Sequence, residues 1–213
     1  MKLYALPPSP NTVKVAALIH HLGLDVEIVP VDMTTGANKT PEYLEMNPNG
    51  LMPTLEDGDF HLWESNAILQ YLAQKNPESG LYPTDIQGQA DVTRWFQWNS
   101  AHMGAAIRPY MYERMVKPMM MGQPTDEEVV AKAEPDFKRF AGVLEGHLSK
   151  HDFLVGNKLS VADFAVAANL IYAGPARIPM GDFPKLQAFV QRIAGTDAWK
   201  KAIPQMPAAA ARA

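Results

Sequence analysis

Apolar residues along the first eighty positions switch between two periods. Leu3 to Leu6 is a short apolar run cut off by Pro7 and Pro8, which predicts a strand. From Asn11 the spacing changes: Val15, Leu18, Ile19 and Leu22 recur at helical intervals, and Gly23 stands where a helix ends in the left-handed conformation. Asp25 to Val31 predicts a second strand. Thr40 before Pro41 supplies a cap and a first helical residue for a short helix through Tyr43 and Leu44, followed by the turn Asn47-Pro48-Asn49-Gly50. Met52 to Glu56, the pair Asp57-Gly58, and Phe60 to Trp63 predict a hairpin. Glu64 and Ser65 then open a helix carrying Ile68, Leu69 and Leu72 on one face. The order β-α-β-α-β-β-α makes a small mixed sheet with its hairpin at one edge and helices around it.

Between Lys75 and Gln89 the periodicity lapses into turn-forming residues, which predicts an interdomain linker. Beyond it the pattern is helical throughout, over about 86–117, 125–149, 160–173, 184–195 and 196–202. Thr125 with Glu128, and Ser160 with Asp163, have the spacing of capping boxes. The Ala- and Pro-rich end, Pro204 to Ala213, predicts a loosely held tail. The expected architecture is therefore α/β plus all-α, with a first domain over 1–78 and a helical second domain over 86–213.

Composition narrows the chemistry. Nineteen Lys and Arg face 23 Asp and Glu in 213 residues, for a net charge of −4, with no basic tract to neutralise a phosphate backbone, so nucleic acid is excluded as a partner. With 47% hydrophobic and 20% charged residues and no apolar run of bilayer length, the chain is expected to be a soluble globular protein without a membrane partner. There is no cysteine, so any thiol chemistry needs a borrowed thiol. Met1 to Leu6 is too short and too soon broken for a secretory apolar segment, and a cytoplasmic location is expected. His20 and His21 diverge on a helix, and His147 and His151, four apart, lack a third ligand, so no metal is expected.

Several residues are placed for chemistry. Ser9 lies between a strand and a helix, so its hydroxyl and the first free N–H groups of that helix aim at one spot, a natural anion site. A thiolate is such an anion: with a free-thiol pKa near ~8.5, a hydroxyl donor and a helix dipole favour ionisation. The plain alternative is that Ser9 caps the helix. Ser65 has the same two readings. Pro53 reads by itself as an edge-strand proline, and Lys39 as a solvated loop lysine. His102, Met103, Tyr110, Met111 and Arg114 give the first helix of the second half a Met-rich, mixed face, suited either to a promiscuous apolar pocket or to core filling. Trp63, Trp95 and Trp98 read as packing residues at or near the domain and subunit interface.

Five motifs, in order, give the chain its resemblance. They are Ser9-Pro10-Asn11-Thr12-Val13-Lys14-Val15, Lys39-Thr40-Pro41-Glu42-Tyr43-Leu44, Asn47-Pro48-Asn49-Gly50-Leu51-Met52-Pro53 running on to Gly58, Glu64-Ser65-Asn66-Ala67-Ile68, and Leu154-Val155-Gly156 to Ser160-Val161-Ala162-Asp163. The chain resembles a cytosolic glutathione S-transferase of the serine type, similar to bacterial theta and phi members with some nu-like character. The resemblance implies a thioredoxin-like N-terminal domain, an all-helical C-terminal domain and a two-fold homodimer. It implies that Ser9 activates the glutathione thiol, with Asn11 as a second donor, as in nu-type members. It further implies that the Met52 backbone, before a cis Pro53, pairs with the cysteinyl part of glutathione. Glu64 and Ser65 would hold the γ-glutamyl carboxylate, and Lys39 the glycyl carboxylate. Leu51 departs from the polar residue many phi and theta members carry there, a loss that Asn38 or Asn49 would have to offset. The second substrate, a small hydrophobic electrophile, would lie between the domains against His102, Met103, Tyr110, Met111 and Arg114. Two other functions stay open: reduction of disulfides or hydroperoxides by glutathione, and non-catalytic binding of glutathione or another ligand by an interaction protein.

Overall fold

Strand β1 (Lys2–Ala5) has a partner on each side in the sheet, and its alternation buries Leu3 and Ala5 on one face and leaves Lys2 and Tyr4 half-buried on the other. The computed structural model describes residues 1–203; the expected tail, Pro204 to Ala213, lies outside the described residues. Among the described residues two compact units are present, Met1–Gly80 together with residues 195–203, and Leu81–Ala194.

The first unit holds β1, α1 (Pro10–Leu22), β2 (Glu27–Pro30), α2 (Pro41–Met46), β3 (Thr54–Asp57), β4 (Phe60–Trp63) and α3 (Ser65–Lys75), in the expected order. The sheet runs β2-β1-β3-β4, with β1 parallel to β2 and antiparallel to β3, and the β3–β4 hairpin at one edge. Leu3 pairs with Ile28 on one side and Leu55 on the other. Leu3, Ala5 and Leu55 of the two central strands are fully buried, whereas the edge strands are largely exposed. Val15, Leu18 and Ile19 of α1 and Ile68, Leu69 and Leu72 of α3 complete this core. Helix α1 ends as its sequence predicts, at Gly23 in the left-handed conformation (φ 64°), where its N–H closes on the carbonyls of His20 and Ile19.

The second unit contains no named strand among the described residues. The helix expected over 86–117 is a longer helical run broken in register: α4 (Ile86–Trp98), a π-helical turn (Asn99–Met103), α5 (Gly104–Met111), a second π-turn (Tyr112–Val116) and α6 (Lys117–Met121). Pro109 and Pro118 offer no N–H to the ladder, and the π-turns lie on either side of α5, absorbing the mismatch. Helix α7 (Glu127–Leu148) is capped by Asp126, which accepts from the N–H groups of Glu128 and Val129, not by Thr125. The Thr125 hydroxyl is spent on the Glu113 carbonyl at 3.0 Å, and the buried Glu113 carboxylate accepts the Asp126 N–H at 2.8 Å. Helix α8 (Val161–Ala168) stops five residues before the expected 173, in a series of turns leading to Gly174-Pro175. Helix α9 (Pro184–Ala194) closes the unit.

One boundary differs from the sequence reading. Residues 197–202 form α10 (Asp197–Ala202), which packs on α1 with Trp199 only 1% exposed, so this helix groups with the first unit and not with the helical one. A six-residue helix cannot cover a tryptophan by itself, and α1 supplies the missing apolar face.

The Ser160–Asp163 capping box is present, and Asp163 is fully buried. Its carboxylate accepts from the Leu154 N–H (2.9 Å), the Ser160 N–H (2.8 Å) and the Ser160 hydroxyl (3.0 Å), tying the loop before α8 to the helix. Burial outweighs these bonds and pushes the carboxyl up to about 6. The folded state therefore keeps a proton that the unfolded chain releases near pH 4, so the stability this group contributes is full below pH 4 and lost as pH rises through 6. Urea melts of wild type against Asp163→Asn at pH 4 and pH 7 are expected to differ in the wild type's favour by on the order of 3 kcal/mol more at the lower pH. Asp163→Ala, which strips the loop of its acceptor, is expected to cost more than Asp163→Asn at both pH values, and its cost too should be larger at pH 4 than at pH 7 by on the order of 3 kcal/mol, because the pH dependence belongs to the wild type.

Candidate functional site

A cleft of about 170 Å³ opens in the first unit where three segments meet: Asn11 in the first turn of α1, the loop from Asn47 to Pro53, and the junction Trp63-Glu64-Ser65 between β4 and α3. Both helices present their N-terminal ends here. Unpaired N–H groups and the helix dipoles give such a place positive potential and donors, which suits an anionic group.

Side chains fix how those ends are offered. The Ser65 hydroxyl donates to the Asn11 amide oxygen at 3.2 Å, which leaves the Asn11 NH₂ group to donate elsewhere. Glu64 precedes α3 with φ 70°, a left-handed backbone that a residue with a Cβ adopts at a cost, and strain of this kind gathers where the surroundings enforce it. Ser9 precedes α1 in an extended conformation and is half-buried; its hydroxyl makes no cap bond to the helix, so the plain capping reading does not account for it.

The loop wall is held from behind. The Leu51 carbonyl accepts from the Tyr43 hydroxyl at 2.8 Å and the Asn47 amide at 2.7 Å, and both donors also meet the Thr54 hydroxyl at 3.0 Å. Asn47 and Thr54 are buried, and Asn49 is held by its backbone and side-chain amides to the Asn47 oxygen. The Met52–Pro53 bond is cis. Behind the turn, the buried Asn38 donates to the Gly50 carbonyl at 2.7 Å. Gly50 has φ 61°, and a Cβ there would meet the Asn38 carbonyl at 2.8 Å and the Lys39 ammonium at 2.7 Å, so only glycine fits.

Of the residues singled out from the sequence, the structure brings Asn11, Met52, Pro53, Glu64 and Ser65 to the cleft. Ser9 stands at the head of α1, two residues before Asn11. Asn38 and Lys39 gather at Gly50 and are not among the lining residues, so Asn38 supports the turn instead of facing the cleft. Asn47 was read only as a turn residue: a buried polar anchor has no periodic signature. Trp63, expected to be a packing residue, lines the cleft and is 40% exposed.

One charged side chain lies just behind the cleft. Lys14 is 3% exposed, and its ammonium donates to the Asn66 amide oxygen at 2.6 Å. Burial pulls its pKa down to about 7, with the Glu64 charge acting in the opposite direction.

The residues expected to bind a second substrate do not form one surface. Met103 and Tyr110 are buried core, with Tyr110 packed edge-on against Phe137 at 5.9 Å. They are seven residues apart and so share the inward face, which turns His102 away from it. His102 stacks on Phe140 at 5.0 Å in an open groove of about 500 Å³ between the Ala101–Pro109 stretch and α7, edged by Lys132, Asp136 and Arg139. Met111 is half-buried. Arg114 is tied to the carbonyls of Ala176 and Arg177, at 3.2 and 2.8 Å, and to Glu127 at 2.6 Å, so it is an internal brace and not a free cation. Among the described residues no cluster of His, Cys, Asp and Glu is arranged to hold a metal, and no helix is long and apolar enough to cross a membrane.

Comparison with known proteins places both units. Residues 1–74 match the family described as glutathione S-transferase, N-terminal domain, and residues 99–197 match glutathione S-transferase, C-terminal domain. Glutathione S-transferase 3 of Zea mays is 37% identical over 212 residues, covering 97% of this chain and 95% of the relative. A solved glutathione S-transferase I bound with lactoylglutathione superposes with a TM-score of 0.88 at 31% identity, covering 96% of this chain and 99% of the other. The maize glutathione S-transferase I in complex with an atrazine glutathione conjugate superposes with a TM-score of 0.87 at 31% identity and the same coverage.

The loop network makes a stability prediction. Asn47→Ala removes the donor shared by the Leu51 carbonyl and the Thr54 hydroxyl and leaves both buried groups short of a partner, which is expected to lower unfolding free energy in urea by about 2 kcal/mol. Asn47→Asp, which keeps the volume but not the NH₂ group, is expected to lose at least as much at pH 7.

Proposed function

The chain belongs to the glutathione S-transferase family, and from that premise we propose that the cleft of its first unit binds reduced glutathione and that Ser9 and Asn11 stabilise the thiolate for attack on a small hydrophobic electrophile. The observation that carries this reading is the meeting of the N-terminal ends of α1 and α3 at one small cleft. Glutathione brings the charges such a place favours: a thiolate and two carboxylates. The start of α3, with Ser65, suits the γ-glutamyl carboxylate, the start of α1 suits the thiolate, and the backbone of Met52 offers strand-type pairing to the cysteinyl residue. Lys39, beside Gly50, remains the candidate for the glycyl carboxylate.

The chemistry asked of the protein is modest. Once the thiol proton has gone to water, the sulfur forms a C–S bond with the electrophilic carbon while the leaving group departs with its electron pair. Donors aimed at the sulfur raise the thiolate fraction, and holding the two reactants together supplies the rest. Ser65, by occupying the Asn11 oxygen, presents the Asn11 NH₂ group as a donor. Leu51, 56% exposed at the cleft, offers no polar contact; Asn49, on the cleft wall and fixed by Asn47, is better placed than Asn38 to replace it. The relatives solved with lactoylglutathione and with a glutathione conjugate support binding of glutathione derivatives and favour conjugation over disulfide reduction. The plant relatives favour the phi side of the class resemblance over a bacterial theta one. A two-fold homodimer in the cytoplasm belongs to the same reading.

Ser9→Ala is expected to keep the melting behaviour of the wild type, and Asn11→Ala to lower it modestly through loss of the Ser65 bond, while each lowers kcat/KM for glutathione with 1-chloro-2,4-dinitrobenzene by roughly 100- to 1,000-fold, the loss typical of one donor to a developing anion. The thiolate absorbance of bound glutathione should move to higher pH in both. Undiminished turnover in both variants would mean that neither residue activates the thiol.

A further inference from the structure

Lys14 is buried, and its ammonium has one described partner, the neutral amide oxygen of Asn66. Among the described residues no carboxylate lies within ion-pair distance of it. Lysine is almost never fully buried without a counter-ion, because the charged form loses its hydration. Its position says where the counter-ion would come from. Lys14 follows Asn11 by three residues and so shares its side of α1, while Asn66 follows Ser65 in α3. Two bonds therefore cross from α1 to α3 in parallel, Asn11 with Ser65 facing the cleft and Lys14 with Asn66 one step behind it. The partial positive charge of the two helix ends and the loss of hydration both disfavour an ammonium while the cleft is empty. An anion in the cleft reverses that balance.

We propose that Lys14 is the cleft's built-in counter-charge: it takes up a proton when the glutathione anion binds and thereby couples affinity to pH. The proposal rests on the reading that this cleft binds glutathione. Lys14 touches no reacting atom and is a positioning residue, acting by charge through the wall formed by Asn11 and Ser65. The proton comes from bulk water and ends on the Lys14 nitrogen; no bond to the ligand forms. Of the charged groups on the helices packed against α1, Glu64 at the head of α3 acts on Lys14 and favours its charged form, whereas Lys75 of α3 and Asp197, Lys200 and Lys201 of α10 exert no resolved effect on it. With the empty-site pKa near 7, the uncharged amine dominates in mildly alkaline solution, so binding there requires protonation.

Calorimetric titration of the full-length chain with S-methylglutathione, which has no thiol proton to confuse the count, tests this. It is run from pH 6.5 to 8.5 in two buffers of contrasting ionisation enthalpy, with Lys14→Arg and Lys14→Met alongside and a thermal melt of each at every pH. The wild type is expected to take up close to one proton more than Lys14→Arg at pH 8.5, and its affinity to fall roughly tenfold per pH unit above 7.5, as one-proton linkage requires. Lys14→Arg, permanently charged, should bind with little pH dependence, and Lys14→Met weakly at every pH. Proton uptake equal in wild type and Lys14→Arg, or a wild-type affinity flat from 7 to 8.5, overturns the proposal while leaving the glutathione reading intact. Failure of the folded wild type to bind S-methylglutathione or reduced glutathione even at pH 6.5 overturns both. Should neither variant fold, the wild-type affinity profile alone decides.

Discussion

The arrangement depends on bringing two helix N-termini together at one cleft. Aligned dipoles ending at one point repel, and free N–H groups there lack partners in the fold. The chain holds the junction with side chains. Ser65 reaches the Asn11 oxygen, Lys14 reaches the Asn66 oxygen, and the strained backbone of Glu64 turns the chain from β4 into α3 at the right angle. None of these features is explained by stability alone. A residue with a positive φ and a buried lysine on a neutral partner are both unfavourable in isolation, and they persist because the sheet below and the packed faces of α1 and α3 over-determine the geometry.

The opposite wall is built by another principle. The loop from Asn47 to Pro53 has no regular structure, yet its carbonyl at Leu51 is bonded from two sides by buried donors, and Gly50 is hemmed in by Asn38 and Lys39. A loop anchored in this way can present backbone groups as rigidly as a strand edge, which is what recognition through main-chain hydrogen bonds needs. The side chain exposed at that point is Leu51, so the wall offers backbone donors and acceptors, an apolar surface and the amide of Asn49.

Much of the fold was legible in the sequence because it rests on local chemistry. Gly23 after Leu22, Thr40 before Pro41, Asp57-Gly58 between two apolar runs, and Ser160 with Asp163 each act within four residues, and each sits where the pattern put it. What escaped was decided by distant partners. Thr125 has the spacing of a cap, but Glu113 takes its hydroxyl and leaves the cap to Asp126. Trp199 carries no mark saying that α1 will cover it. The helical half shows the same limit, since a stripe of Met and aromatic residues reads alike whether it lines a pocket or fills a core, and Met103 and Tyr110 proved to fill one. In the site, Asn11, Met52, Pro53, Glu64 and Ser65 came to the cleft from their motifs, whereas Lys39 of another motif gathers at Gly50, and the parts taken by Asn47 and Lys14, though both lie within motifs, are visible only once burial is known.

The absence of cysteine gives these details a common purpose. A protein without a thiol of its own must make a borrowed one reactive, and the free thiol is mostly protonated at neutral pH. Positive potential solves that problem, but a permanent buried cation would destabilise the empty fold. Hydroxyl and amide donors and two helix ends supply potential without net charge. On the proposal that Lys14 takes up its proton as an anion binds, charge is added only where it is needed, so the unliganded cleft avoids the full desolvation of an ion and the occupied one gains its attraction. An arginine at position 14 would stay charged throughout, with five donors to satisfy where Lys14 is seen with one acceptor. On that proposal, lysine at position 14 suits a site that must be stable both empty and filled.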